Sequence, residues 1–252
     1  MLMRNHSTAT KTTSPDGKST KSTTESRGTS PEEIAAILGD ETETPLRSML
    51  NHSRRVTFDQ HDVIYHQGSP ARSVCFIISG LLKLIVHLPN GRARIVRFHR
   101  TGSVLGLGGL YERENEHTAV ALTPVTALRL PLSAVQRLRR EDPEMYLRLV
   151  ERWHDYLHDA DIWITQFSTG PIRGRVARLL AFLAEFNRES SSDQLHLLTC
   201  EEMGAVLGVT SESTSRILAE FKRDHIIFNN EDQPQEIYNA DLGRLHHIAE
   251  QA

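Results

Sequence analysis

At 252 residues the chain has room for two modest domains, and 38% hydrophobic with 24% charged residues is the composition of an ordinary globular protein. Its formal net charge of −3 supplies no overall attraction to nucleic acid or anionic lipid, so any positive surface must be local. Cys75 and Cys200 are too few for a disulfide framework or a four-cysteine metal or iron–sulfur site, no apolar run approaches the roughly 20 residues of a membrane span, and the first residues lack the apolar core of a secretory signal, so a cytoplasmic location is expected.

Residues 1–30 hold fourteen Ser or Thr and no aromatic, too little apolar surface to offset the entropy of ordering, and are predicted to be a disordered tail. Pro31–Leu38 and Pro45–Asn51 read as short helices leading into a fold. From about Val56 to Pro131 the pattern changes to short β runs. Val63–Tyr65, Val74–Ile78, Leu81–His87, Ala93–Phe98, Val104–Leu107, Thr118–Ala121 and Thr126–Leu130 are strand candidates, punctuated by Gly68-Ser-Pro, Ser79-Gly, Pro89-Asn-Gly and Thr101-Gly. Asn90-Gly91 is a strong hairpin signal. Many short strands at this spacing predict an antiparallel sandwich, roll or barrel.

The chain then turns helical. Asp142-Pro143 supplies a cap and a proline at the first helical position of a long helix. Two apolar stripes run along it: Met145, Leu149, Tyr156, Ala160, Trp163 and Phe167, and Tyr146, Val150, Trp153, Leu157 and Ile164. One stripe can cover the β-domain while the other pairs with its copy in a parallel dimer. The first stripe is assigned to the dimer interface. Gly170-Pro171 breaks the helix and serves as a hinge, and Gly174 to Asn187 continues as an amphipathic helix. Ile226–Phe228 and Glu236–Tyr238 flank a polar loop as in a winged hairpin, before a closing helix over Asp241 to Glu250.

Between hinge and wing, Leu198 to Ile227 reads as a helix-turn-helix. Thr199 with Glu202 makes a capping box, and Met203, Val206 and Leu207 form an apolar stripe. Gly208 ends this helix, Thr210 caps the next, and Ile217, Leu218 and Phe221 face inward. Its outer face carries Ser211, Glu212, Ser215, Arg216 and Lys222.

Three stretches together carry a resemblance: Asp62-Val-Ile-Tyr-His-Gln-Gly68; Gly102-Ser-Val-Leu-Gly-Leu-Gly-Gly-Leu-Tyr111 followed by His117-Thr118-Ala119; and the helix-turn-helix. Over about residues 45–250 the chain resembles the catabolite-activator/fumarate–nitrate-regulator (CRP/FNR) superfamily of bacterial transcription factors. The resemblance implies an α+β fold: an N-terminal antiparallel β-roll (a cupin-like jelly roll, similar to cyclic-nucleotide-binding domains), a long dimerisation helix and a C-terminal winged helix-turn-helix. The expected division is a tail over 1–30, an effector-sensing roll over 31–140, dimerisation helix and hinge over 141–170, and a DNA-binding domain over 171–252.

Glu212, Ser215 and Arg216 match the Glu-x-x-Ser-Arg pattern of the fumarate–nitrate-regulator branch and lie on one helix face. Ser211 stands where the catabolite-activator branch has a second arginine. The resemblance implies a homodimer on a TTGAT-N4-ATCAA-like palindrome. Arg216 would fork onto guanine and Glu212 accept from cytosine or adenine, with Ser211, Ser213, Ser215, Thr199 and Lys222 completing the DNA-facing set. RNA polymerase is the further partner the family implies.

The cassette residues Gly106, Leu107, Gly108, Gly109, His117 and Thr118 would line an effector pocket. Nucleotide-binding members hold a glutamate for the ribose where Leu107 stands and an arginine for the cyclic phosphate where His117 stands, so cyclic AMP is not expected as effector. The absence of an N-terminal cysteine cluster argues against an iron–sulfur sensor. Haem or metal sensing is the alternative, through the roll histidines His66, His87, His99 and His117 or the i, i+4 pair His154 and His158, whose aspartate neighbours equally suit a solvated face. No nucleophile–base pair or closed metal constellation is legible, so an enzyme is not expected. A pure cyclic-nucleotide-binding regulatory module would keep the glutamate and arginine and lack the helix-turn-helix.

Overall fold

Strand-forming runs bounded by turns build the N-terminal half, and the number of covered faces explains their patterns. The structure, a computed structural model, describes residues 25–26, 53–186, 194–196, 198–229 and 237–251. The helices expected at Pro31–Leu38 and Pro45–Asn51 lie outside them, as do most of the tail and the wing loop. Glu25–Ser26 corrects the expectation of a tail without structure: it forms a two-residue strand, β1, antiparallel to β2 (Arg54–Phe58).

Then follow β3 (Val63–Tyr65), β4 (Ser73–Ser79), β5 (Leu82–His87), β6 (Ala93–His99), β7 (Val104–Leu105), β8 (Thr118–Ala121) and β9 (Val125–Pro131). They form two antiparallel sheets, in the orders β1-β2-β9-β4-β7 and β3-β8-β5-β6. Between them lie Val56, Ile77, Leu82, Leu84, Leu105 and Ala127. β4 is apolar from Val74 to Ile78 because both its faces are covered: Cys75 and Ile77 face this core, while Val74 and Phe76 face the helices that follow. Two differences from the sequence reading concern β7, which gives way after two residues to a 3-10 turn over Leu107–Leu110, and β2, which was not foreseen as a strand and pairs with β9 along its whole length.

Helix α1 (Leu132–Glu141) packs Val135 and Leu138 against the β4–β9 face. α2 (Pro143–Ser168) starts where the Asp142 side chain accepts the Met145 N–H at 3.1 Å, with Pro143 at the first helical position. Its stripes are corrected by the structure. Met145 (2% exposed) and Leu149 (0%) are buried against Val74, Phe76 and Leu128 of the same chain, and Phe167 (2%) lies in the core of the C-terminal half. Tyr156, Ala160 and Trp163 are half-buried on that same inward side, so the stripe assigned to the dimer interface covers the chain's own sheets and helices. The outward residues are Leu147 (56% exposed), Leu157 (54%) and Ile164 (59%). The reason is shape: the aromatic groups and Met145 fill the uneven gap beside the roll, which β-face complementarity selects and helical periodicity does not.

Two arginines fix the turn after α2, where Gly170 has φ 81°. From α3 (Ile172–Phe186), Arg175 Nε donates to the Phe167 carbonyl at 2.8 Å, and Arg178 donates to those of Gln166 and Thr169, both at 2.7 Å. These side chains satisfy carbonyls that the end of a helix leaves open. β10 (Gln194–His196), α4 (Cys200–Leu207), α5 (Ser211–Arg223), β11 (Ile227–Phe228), β12 (Ile237–Ala240) and α6 (Leu242–Glu250) complete the fold. β10, not foreseen, joins the wing as a sheet ordered β10-β12-β11. Val176, Leu180, Met203, Leu207, Leu218 and Phe221 share one core with Leu81, Ile95 and Phe98 of the roll, so the C-terminal half packs on the β5–β6 face. Among the described residues no helix is long and apolar enough to cross a membrane.

Candidate nucleic-acid interface and roll cavity

The two-helix element is built by local chemistry. Thr199 Oγ1 accepts the Glu202 N–H (3.1 Å) and Glu202 Oε2 accepts the Thr199 N–H (2.8 Å), a reciprocal capping box. Gly208 closes α4 with φ 69°, a left-handed conformation that glycine takes without steric penalty. Thr210 Oγ1 accepts the Ser213 N–H at 3.3 Å and starts α5. The sequence reading missed Thr214. It is fully buried, its Oγ1 2.8 Å from the carbonyls of both Cys200 and Ser211, which pins α5 across the start of α4. Its signal was positional: a small hydroxyl in the inward stripe with Ile217 and Leu218.

The opposite face of α5 is open. Ser211, Glu212, Ser215, Arg216 and Lys222 are exposed, as is Thr199, and Ser213 is half-buried beside the Thr210 cap. Among the described residues Glu212 and Arg216 have neither a hydrogen bond nor an ion pair, to each other or to anything else. Lys222 differs: its Nζ donates to the Tyr238 hydroxyl of β12 at 2.8 Å and sits 4.5 Å from that ring's centre, tying the helix to the wing. Arg173 and Glu220 pair at 2.7 Å.

The roll holds a small cavity of about 60 Å³. Gly106, Leu107, Gly108, Gly109 and His117 line it; Thr118 does not, its buried hydroxyl accepting the Gln67 N–H at 3.0 Å instead. Gly106 is required by its φ of 80°, and a Cβ there would lie 2.6 Å from the Ser73 carbonyl oxygen. Residues the sequence reading did not place in this pocket also line it: Arg97 and His99 from β6, Tyr65, Glu116, and Trp153 and Tyr156 from α2. Burial lowers the His99 pKa to about 3, and burial likewise lowers that of His117, so both rings are held neutral. His66 and His87 are exposed, and His154 and His158 lie on the solvent side of α2. Among the described residues no three His, Cys, Asp or Glu side chains gather as a metal constellation. Cys75 is buried, which raises its thiol pKa, and Cys200 is half-buried in the first turn of α4.

Two family models match the two halves: a cyclic nucleotide-binding domain over residues 55–142 and a Crp-like helix-turn-helix domain over 174–248. The chain belongs to the CRP/FNR superfamily. Its relatives are transcription regulators. Electron transport regulator A of Shewanella oneidensis is 25% identical over 177 residues, covering 69% of this chain and 71% of that protein. The transcriptional regulator LdrP of Thermus thermophilus is 26% identical over 190 residues, covering 75% and 93%. In fold, the solved structure of a CRP-family transcriptional regulator from Thermus thermophilus superposes with a TM-score of 0.66 at 24% identity, covering 78% of this chain and 97% of that one. This CRP/FNR-type transcription regulator therefore pairs a DNA-binding helix-turn-helix with a roll of the cyclic-nucleotide-binding type. Its cavity fits a cyclic nucleotide poorly. About 60 Å³ is well under the roughly 300 Å³ where ligand pockets begin, Leu107 is packed into the β4–α1 core, and neutral His117 has no guanidinium fork.

Proposed function

We propose that this regulator binds, as a homodimer, a two-fold DNA site with TTGAT-like halves. The observation that carries it is the exposed set of Glu212, Ser215 and Arg216, without side-chain partners among the described residues, on one face of a helix whose other face is locked into a core. On docking, Arg216 forks onto guanine O6 and N7 and Glu212 accepts from a cytosine or adenine amine. Ser215 and Ser211 bond a base edge or phosphate, while Thr199, Ser213 and Lys222 position the helix on the backbone.

Dimerisation runs through the outward face of α2, where Leu147, Leu157 and Ile164 recur among polar residues. Pairing there presents two recognition helices to half-sites roughly 34 Å apart. The roll senses an effector other than cyclic AMP and shifts the balance of helix arrangements about Gly170. The protein works in the cytoplasm, with RNA polymerase as its further partner.

Fluorescence anisotropy with a TTGAT-N4-ATCAA duplex, and with the guanine of each half replaced, tests the reading. Tight binding that weakens on replacing the guanine is expected; equal affinity for any duplex of that length rejects it. Cyclic AMP is expected to leave the affinity unchanged.

A further inference from the structure

Arg97 is the anomaly of the roll. Its Nη2 donates to the Tyr156 carbonyl at 2.9 Å, and its guanidinium lies 5.1 Å from the centre of the Tyr156 ring. Its Nε is buried with no hydrogen-bond partner among the described residues. A buried donor on a charged group left unmade costs more than an ordinary unsatisfied polar atom, so such an arginine calls for an acceptor.

The cavity that Arg97 lines sets the acceptor's size. About 60 Å³ is several times the roughly 10–15 Å³ that one water needs, yet far below an ordinary ligand pocket. The other polar groups set its chemistry. His99 and His117 line the cavity as neutral rings, able to hydrogen-bond without adding charge. Glu114 and Glu116, largely exposed, also contribute to the lining and limit the negative charge it accepts.

We propose that this cavity binds a compact oxyanion, the carboxylate or phosphate of a ligand of a few heavy atoms, gripped by Arg97 Nε and a histidine ring N–H. A guanidinium offers two parallel donors to two oxygens of one group, the geometry a carboxylate or phosphate matches. Arg97 reaches the cavity from β6, whereas the family's arginine would stand at the cassette position of His117, which lines the same cavity. It also bears on α2: the guanidinium that takes the anion holds the Tyr156 carbonyl, and the Tyr156 hydroxyl accepts the Val104 N–H at 2.7 Å, beside the cassette. An anion that pulls on Arg97 therefore pulls on the helix leading to the hinge. This proposal rests on reading the roll as the effector domain.

The test is calorimetric titration of the full chain with sodium acetate and with inorganic phosphate, against sodium chloride at matched ionic strength. Fluorescence of Trp153 in a Trp163→Phe background follows the cavity directly. At least one of the two anions is expected to give a saturable heat and a parallel Trp153 change, and which one it is separates a carboxylate from a phosphate ligand. Arg97→Lys keeps the charge but loses Nε and the fork, and is expected to weaken binding at least tenfold with a Tm within a few degrees of the parent. Should Arg97→Lys fail to fold, His117→Ala reads the same site and is expected to weaken binding several-fold. No saturable heat from either anion, or undiminished affinity in the variant that folds, overturns the site. Duplex binding is measured separately: anion binding in a protein that ignores every duplex keeps the site and sinks the regulator reading, and the converse result does the reverse.

Discussion

Arg216 on α5 and Arg97 in the roll are the same residue type in opposite settings. On α5 the Arg216 side chain, like that of Glu212 beside it, stands in solvent with no partner among the described residues, so holding it costs the fold almost nothing and its donors stay open to a ligand. In the roll, Arg97 is desolvated, which pulls its pKa below the usual guanidinium value, while Asp159 and Glu116 partly offset that pull. A charge in water is ready for a large, highly charged ligand whose own field does the work of attraction. A charge in a small cavity is selective by size and by the number of donors it leaves open. The first setting suits the base reading proposed for α5; the second suits the small-solute binding proposed for the roll.

The largest expected effect breaks the link that presents the α5 face twice. Leu157→Asp with Ile164→Asp places two charges on the outward side of α2, and sedimentation is expected to show monomers. Duplex affinity should then fall about 10²–10⁴-fold, because two linked heads bind with an avidity that one lacks. A dimer that persists with full affinity moves the interface elsewhere.

Arg216→Ala comes next. It should cost about 1–3 kcal/mol of binding and abolish preference for guanine at one position of each half-site, read by competition with a substituted duplex. Its Tm should be unchanged, since the side chain is exposed and has no partner among the described residues.

On the roll side the expected effects are smaller and pH-dependent. His99 has a folded pKa of about 3 against 6.5 in the unfolded chain, so the unfolded state binds the extra proton between those values. Stability is therefore complete above about pH 6.5 and declines as pH falls toward 3, by at most about 1.4 kcal/mol per unit from this group. Urea unfolding at pH 7.5 and 5.5 should show the decline, and His99→Asn should flatten it; equal slopes would mean that the ring is reached by water.

The smallest effect lies where the two regions meet. Lys83 of β5 pairs with Glu202 of the capping box, and Arg94 of β6 donates to the Val206 carbonyl at 3.2 Å, so α4 is held on the roll at both ends. Burial alone would raise the Glu202 carboxyl pKa, but the hydrogen bonds and charge of Lys83, with the Thr199 bonds, hold it below its ordinary value. That contribution is present at neutral pH and lost only as pH falls below the usual carboxylate range. Lys83→Met should lower Tm by a few degrees and speed proteolysis near Gly170, with DNA affinity changed less than by Arg216→Ala.

Much of this was legible in the chain because the signals are local. Thr199 with Glu202, Gly208, Thr210 and Asp142-Pro143 each satisfy backbone groups within four residues, so residue type and spacing suffice to place the helix ends. Val63–Tyr65 and Thr118–Ala121 were bounded by turn residues and came out to the residue. The cavity was half legible: the glycines of the cassette stood out, whereas Arg97, His99 and Tyr156 reach it from β6 and α2, and no spacing rule joins them. Thr214, Arg175 and Arg178 were passed over because their partners are backbone carbonyls, which leave no mark in a sequence.

The α2 stripes show where the boundary falls. Periodicity alone established that the helix has two apolar faces, because side-chain direction repeats every 3.6 residues whatever lies alongside. Which face meets the chain's own roll was decided by the tertiary structure, where Met145, Leu149 and Phe167 fit gaps shaped by distant residues and Leu157 and Ile164 do not. The same holds for charge: the sequence supplied the arginines, but whether one stands in water or is half-buried with one donor left open depends on packing between elements, a property of surfaces brought together only by folding.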